Sequence, residues 1–201
     1  MVIGIMGGTF DPVHLGHLNI AEAAQTQLGC DRILWIPTGL PPHKTTAVSN
    51  EDRVAMLRLA IDGLSGHAVD LCEMEREGYS RTVDTLKDLH ARYPDAEFFF
   101  IIGGDTVMQL EGWKDFPTVA KLTSFAVNLR PDTDDASVLT ELDRLKSTYG
   151  LTFQRLTLPH IPISSSGIRV ACAEGKDFSE QVPPSVYAYI KEHNLYKELV
   201  E

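Results

Sequence analysis

The chain of 201 residues alternates short apolar runs with stretches of helical pattern, and this alternation limits its fold more than any other feature. Runs rich in Val, Ile, Leu and Phe predict strands at residues 2–6, 32–37, 68–72, 97–102, 124–129 and 152–158. Helical patterns occupy residues 12–28, 50–64, 81–92, 135–149 and 184–193. The first and fourth strands are almost continuously apolar, as is typical of strands covered on both faces. The sequence therefore predicts an α/β protein with a doubly wound parallel sheet.

The length of the chain limits its number of domains, and its net charge limits the kinds of partner it can bind. We expect a single domain over residues 1–201, with a C-terminal helical region from about residue 164 to 201. The formal net charge of −10 argues against nucleic acid or an anionic membrane as a partner, because both usually require a basic surface. The N-terminus lacks the basic leader of a signal peptide, and the cysteines Cys30, Cys72 and Cys172 form no metal or redox motif. We expect a cytoplasmic protein with reduced thiols.

The loop after the first predicted strand carries the strongest motif, Gly7–His17, with the sequence GGTFDPVHLGH. Its glycines allow the backbone to approach a ligand closely. Asp11 followed by Pro12 predicts a helix that begins at Pro12 with Asp11 as its N-cap. His14 and His17 are spaced to share one helix face. Imidazoles beside the free N–H groups of a helix N-terminus favour phosphate.

A second motif near the C-terminus offers further phosphate ligands. Ile163–Arg169 (ISSSGIR) places hydroxyls at a helix start, and the guanidinium of Arg169 forms a fork that suits phosphate. Taken alone, such serines are more typical of plain helix caps, and the two histidines of plain surface residues. A metal site at the histidines is disfavoured because the pattern offers no third ligand. Gly16, between them, is predicted to leave room for a base or sugar.

Together the two motifs resemble those of the HxGH nucleotidyltransferase superfamily, with Ser166 where Thr is usual. Within that superfamily the chain resembles the bacterial nicotinate-nucleotide adenylyltransferases almost from end to end. The further matching residues are Pro41–Lys44, Asp52–Arg53, Met56–Leu57, Glu75, Gly78, Ser80, Thr82, Asp84–Leu86, Ile101–Asp105, Trp113, Arg130–Pro131, Val182–Pro183, Val186, Tyr189–Ile190 and Leu195–Tyr196. Arg81 departs from the pattern, since the family usually has an aromatic residue there.

The resemblance implies a Rossmann-like fold of the nucleotidyltransferase type and a transfer of AMP from ATP to nicotinate mononucleotide in NAD biosynthesis. It assigns catalysis to His14, His17, Lys44 and Arg169. It assigns ATP binding to Gly7, Gly8, Thr9, Phe10, His14, His17, Gly103, Asp105, Ile163, Ser164, Ser165, Ser166 and Arg169. It assigns the mononucleotide to Gly8, Thr9, Lys44, Ser80, Thr82, Gly104, Asp105, Trp113 and Arg130. Mg²⁺ is expected to arrive with ATP, without protein side chains as ligands.

Some roles are more specific, and several alternatives stay open. We expect His17 to contact the α-phosphate, Trp113 to stack on the pyridine ring, and Thr82 to help backbone amides bind the nicotinate carboxylate. Nicotinamide mononucleotide and phosphopantetheine are the alternative acceptors, and a nucleotide-binding sensor without catalysis is the alternative from another class. The C-terminal Tyr187, Tyr189, Ile190 and Leu195 are compatible with packing inward or against a second copy, so a homo-oligomer stays open.

Overall fold

The computed structural model describes residues 1–41, 45–129, 135–159 and 161–198. Six parallel strands form one sheet in the order β3-β2-β1-β4-β5-β6. The strands are β1 (Val2–Gly8), β2 (Arg32–Pro37), β3 (His67–Val69), β4 (Glu97–Gly103), β5 (Ser124–Asn128) and β6 (Phe153–Leu156). This order reverses direction next to β1, as in doubly wound Rossmann-like sheets, and confirms the predicted fold class.

Helices cover both faces of the sheet. They are α1 (Leu15–Leu28), α2 (Asn50–Ile61), α3 (Thr82–Arg92), α4 (Gly104–Val107), α5 (Phe116–Leu122), α6 (Asp135–Tyr149), α7 (Ser165–Ala173) and α8 (Pro184–Glu192). A short 3-10 turn, Leu110–Gly112, lies between α4 and α5. Within the described residues, no helix combines the length and apolar character needed to cross a bilayer.

The strand β4 shows why the predicted apolar runs are continuous. Phe98, Phe100 and Ile102 belong to the core on one face of the sheet, whereas Phe99 and Ile101 belong to the core on the other. Alternate residues of a strand point to opposite faces, so a strand covered on both sides must be apolar at every position.

The predicted start of the first helix is wrong. The helix α1 begins at Leu15, and His14 occupies the N-cap position in extended conformation. Asp11 does not cap it, because its buried carboxylate accepts hydrogen bonds from the Ala47 N–H at 2.6 Å and the Tyr196 hydroxyl at 2.8 Å. Long-range partners have therefore replaced the local cap that the Asp-Pro pair suggests.

Other boundaries differ by smaller amounts. β3 is shorter than the predicted run 68–72, and α2 ends at Ile61, before Gly63 in left-handed conformation. Nothing in the sequence pattern predicted α4, the 3-10 turn or α5, which lie between β4 and β5. These elements are too short to show a clear helical period.

The C-terminal helices pack against the core beside α1 and α2. Val186 and Ile190 of α8 are buried there, and Tyr187, Tyr189 and Leu195 are partly buried against the same cluster. The Tyr189 hydroxyl donates to Asp52 of α2 at 3.0 Å. In this chain, therefore, the C-terminal apolar pattern packs inward.

A histidine completes a partly buried connection between β2, β3 and α1. The Trp35 indole N–H donates to His67 Nδ1 at 3.0 Å, which leaves His67 Nε2 to donate to the Gln25 side-chain oxygen at 3.1 Å. Both bonds require the neutral ring, and burial lowers the pKa of His67. The contribution of His67 to the stability of the fold is complete above the pKa that histidine has in the unfolded chain, about 6.5. This contribution is lost as the pH falls below that value.

We therefore expect His67→Asn, which cannot titrate, to weaken the acid sensitivity of the fold. Urea unfolding of both proteins at about pH 8 and about pH 5.5 measures it, because the free energy of unfolding should fall less in the variant. An equal fall in the two proteins would contradict this role of His67.

Candidate active site

Two cavities open at the carboxyl edge of the sheet, and Gly8 and Thr9 line both. The first cavity, of about 710 Å³, is lined among others by Phe10, His14, Gly16, His17, Ile163, Ser164, Ser165, Ser166 and Arg169. The second cavity, of about 420 Å³, is lined among others by Gly7, Glu73, Tyr79, Ser80, Arg81, Thr82, Phe100, Trp113 and Lys114. The backbone at Gly8–Thr9 is thus the boundary across which two ligands would meet.

Phe10 forms the apolar support of the first cavity. It is 1% exposed, has a positive φ of 49°, and lies edge-on to the His17 ring at 5.2 Å between centroids. Its ring also packs on Trp35 at 5.5 Å. Through these contacts Phe10 positions the His17 ring relative to Trp35 of β2.

The two motif histidines form a stacked pair, with ring centroids 3.7 Å apart. The backbone N–H of His14 donates to His17 Nδ1 at 3.3 Å, so the proton of a neutral His17 ring lies on Nε2. Burial, reinforced by the neighbouring His14, holds the pKa of His17 well below its usual value. His17 therefore enters the site as a neutral imidazole whose Nε2–H is a hydrogen-bond donor.

Gly16 lies between the first cavity and the His14 ring. It is one of the residues that line the cavity, and its predicted role of leaving room there for a base or sugar stays a prediction. A Cβ at this position would lie 3.0 Å from His14 Nδ1 and 3.1 Å from its Cε1. The glycine therefore also allows the His14 ring to lie close to the backbone of α1.

The second motif docks directly on the first. An Nη1–H of Arg169 donates to the carbonyl of Asp11 at 2.7 Å, and the Ser165 hydroxyl donates to the carbonyl of Pro12 at 2.8 Å. Ser164 caps α7 by accepting from the Gly167 N–H at 3.1 Å. The guanidinium of Arg169 has five N–H donors, so it can hold this carbonyl and still present donors to the first cavity.

Asp11 is a residue whose role the sequence did not reveal. Its carboxylate joins Ala47, which follows the Pro41–Lys44 segment, to Tyr196 near the C-terminus. Burial and the adjacent carboxylate raise the pKa of Tyr196, which keeps its hydroxyl a donor. The carboxylate of Asp11 therefore ties two distant parts of the chain to the first motif.

Arg53 was identified only as part of a matching segment, and the structure gives it a definite position. Its side chain is fully buried, with Nη1 donating to the Thr9 carbonyl at 2.6 Å and Nη2 to the Thr38 carbonyl at 2.8 Å. It lies on the same helix face as the buried Leu57 and Ala60. A charged residue within an apolar stripe is the sequence signal that could have indicated this role.

The second cavity combines an aromatic surface with polar walls. Phe100 and Trp113 meet at 72° with centroids 5.6 Å apart. A Cβ at Gly7 would lie 3.1 Å from the Phe100 ring, so the first strand ends in close contact with this surface. Ser80 accepts from the Gly39 N–H at 3.1 Å and thereby joins the start of α3 to the loop after β2.

One carboxylate, Glu73, is buried in the wall of the second cavity. It accepts from the Thr85 hydroxyl at 2.8 Å. Burial raises the pKa of Glu73, although hydrogen bonds from Thr85 and Ser80 oppose the shift.

Most predicted site residues come together at these cavities, but not all. Gly103, Gly104 and Asp105 follow β4 into α4 and line neither cavity. Lys44 and Arg130 lie outside the described residues. Across the described ranges, no group of three or more His, Cys, Asp or Glu side chains could hold a metal ion.

Removing Arg53 should destabilise the protein, because Thr9 and Thr38 would keep buried carbonyls without a donor. We expect Arg53→Met to lower the free energy of unfolding in urea by about 3 kcal/mol. The matched control is Arg58→Met on the exposed side of the same helix, with an expected effect within about 0.5 kcal/mol. Equal losses of unfolding free energy in the two variants would contradict a stabilising role for the hydrogen bonds of Arg53.

Known proteins resemble this chain along most of its length. The model of the cytidylyltransferase-like family matches residues 5–171. A Desulfitobacterium hafniense protein named "Probable nicotinate-nucleotide adenylyltransferase" is 41% identical, over 97% of this chain and 95% of its own length. A Listeria monocytogenes protein of the same name is 40% identical, over 96% of each chain.

Solved structures show the same fold. The Plasmodium falciparum nicotinic acid mononucleotide adenylyltransferase complexed with NaAD superposes with a TM-score of 0.80 at 21% identity, over 100% of this chain and 99% of that one. At that identity the likeness establishes the fold alone. The sequence relatives and the family model go further, and this chain belongs to the cytidylyltransferase-like proteins and, among them, to the nicotinate-nucleotide adenylyltransferase family.

Proposed function

We propose that this protein transfers the adenylyl group of ATP to the phosphate of nicotinate mononucleotide. The products are nicotinate adenine dinucleotide and pyrophosphate, and the reaction is a step of NAD biosynthesis. The observation that carries the proposal is the pair of cavities that share Gly8 and Thr9. ATP in the first cavity and the mononucleotide in the second would bring nucleophile and α-phosphorus together at this backbone.

The chemistry needs positioned donors more than a base. A phosphate monoester is already anionic at neutral pH, so catalysis rests on alignment and on charge stabilisation. His17 suits this task, because its Nδ1 accepts from the His14 backbone and only its Nε2–H is left for a ligand. We assign that N–H to an oxygen of the α-phosphate, where it stabilises charge in the transition state.

The second motif is suited to the leaving pyrophosphate. Ser164–Ser166 line the first cavity at the N-terminus of α7, where backbone N–H groups and the helix dipole favour anions. Arg169 adds charge-assisted hydrogen bonds. Lys44, which precedes α2 in the sequence, is proposed as a further cation for the phosphates.

We propose that Mg²⁺ enters with ATP. The first cavity is lined by imidazole, hydroxyl and guanidinium groups, which suit phosphate. Its lining also includes the carboxylate of Asp11, but that group already accepts hydrogen bonds from Ala47 and Tyr196, so the described lining does not form a cage for a hard cation. A magnesium ion that keeps water and phosphate oxygens as ligands fits such a lining. When bound it neutralises part of the negative charge on the phosphates.

The acceptor contacts are proposed from the second cavity. Trp113 offers a face on which the pyridine ring can stack, and Thr82 begins α3, whose N-terminal amides favour a carboxylate. Arg130 for the mononucleotide phosphate and Asp105 for ribose hydroxyls follow from the family resemblance. The aromatic surface formed by Trp113 and Phe100 favours a flat ring over the flexible arm of phosphopantetheine.

A pyrophosphate-release assay tests the proposal. The protein is incubated with ATP, Mg²⁺ and, separately, nicotinate mononucleotide, nicotinamide mononucleotide or phosphopantetheine. We expect the highest kcat/KM with nicotinate mononucleotide. If ATP binds but no pyrophosphate is released in the presence of any of the three acceptors, the protein is instead a nucleotide-binding sensor.

Replacing His17 should reduce turnover strongly. We expect His17→Ala to lower kcat by about a hundredfold or more, the effect of removing a transition-state donor. The matched control is His193→Ala, at the exposed end of α8, with unchanged kcat. A His17→Ala protein that is folded and turns over normally would refute the assignment of the α-phosphate contact.

A further inference from the structure

Arg81 is a cationic residue of the second cavity to which no role has been assigned. It lies at the N-cap position of α3 but does not cap the helix through its side chain. Its backbone carbonyl accepts from Asp84 and Thr85, which fixes the residue at the cavity wall. The side chain is exposed and makes no hydrogen bond or ion pair with any described residue.

The charges around the second cavity favour an anion. Among the described residues that line it, Arg81 and Lys114 are the cationic side chains, and the N-terminus of α3 adds its dipole. The same described lining contains one carboxylate, Glu73, which is buried and accepts a hydrogen bond from Thr85. An exposed guanidinium beside such a cavity has its donors ready for a ligand.

The location of Arg81 also indicates which end of the mononucleotide its side chain would contact. Under the proposed function, the phosphate of the mononucleotide must reach Gly8–Thr9, where the two cavities join. The pyridine ring is the opposite end of that molecule. Arg81 lines the second cavity only, together with Thr82 and Trp113, and is absent from the lining of the first.

We infer that Arg81 is a specificity-determining residue whose guanidinium binds the pyridine carboxylate and so favours the acid over the amide. The inference rests on the proposed function. A guanidinium consists only of donors and pairs with both oxygens of a carboxylate. A carboxamide offers it one oxygen and turns an NH₂ group toward its donors, so the amide loses both the charge and the second bond. An aromatic residue at this position could not discriminate in this way.

Direct binding tests the inference without requiring turnover. Calorimetric titration gives Kd for nicotinate mononucleotide and for nicotinamide mononucleotide with the unaltered protein, Arg81→Gln and Arg81→Lys. We expect Arg81→Gln to reduce the preference for the acid by about tenfold or more, because one charged hydrogen-bonded pair is lost. Arg81→Lys should keep an intermediate preference, since it retains the charge without the fork.

The control is Arg32→Gln, which removes the same charge from an exposed position at the start of β2, the edge of the sheet away from the cavities. Its preference should equal that of the unaltered protein. An unchanged ratio in Arg81→Gln overturns the inference, as does an equal loss for both mononucleotides, which would place Arg81 at their shared phosphate. Failure to bind either mononucleotide also overturns it.

The pyrophosphate assay keeps the two proposals distinguishable. A protein that shows the Arg81-dependent preference in binding but releases no pyrophosphate with ATP supports the inference and refutes the transfer reaction. Normal turnover of the unaltered protein, together with an unchanged ratio of the two Kd values in Arg81→Gln, supports the transfer reaction and refutes the inference.

Discussion

The site depends on one contact between distant parts of the chain, the docking of α7 on the first loop. Arg169 and Ser165 donate to the consecutive carbonyls of Asp11 and Pro12, so the second phosphate motif is held by the backbone of the first. The fold fixes the positions of backbone carbonyls, so hydrogen bonds to them determine where α7 lies as well as stabilising its docking. Asp11 extends the same junction to Ala47 and to Tyr196.

The charge of the cavities beside this junction differs from the charge of the whole protein. The net charge of −10 belongs to the whole chain, whereas the lining of the first cavity includes the N-terminus of α7, His14, His17 and Arg169, and that of the second includes Arg81 and Lys114. Positioned donors of this kind stabilise phosphate without a basic surface. Arg53 donates a hydrogen bond to the carbonyl of Thr9 but does not line either cavity. A buried cation therefore holds the backbone that forms the boundary between the two cavities.

The sheet and most of the site could be predicted, because continuous apolar strands and two compact motifs are local signals. Asp11 shows where such reasoning ends, since its apparent capping role was displaced by Ala47 and Tyr196, far away in sequence. The close approach of the His14 ring to Gly16 was also not predictable, because it depends on the three-dimensional position of His14. Likewise, no local pattern distinguishes the buried Arg53 from an exposed arginine such as Arg58 except its place in an apolar stripe.

The central claim is that the two substrates occupy separate cavities and react across Gly8–Thr9. A crystal structure with the dinucleotide product bound is its most direct test. The account predicts the adenosine half in the first cavity, the pyridine half beside Trp113 in the second, and the linking phosphates next to the Nε2–H of His17. A product with both halves on the same side of Gly8–Thr9 would contradict it.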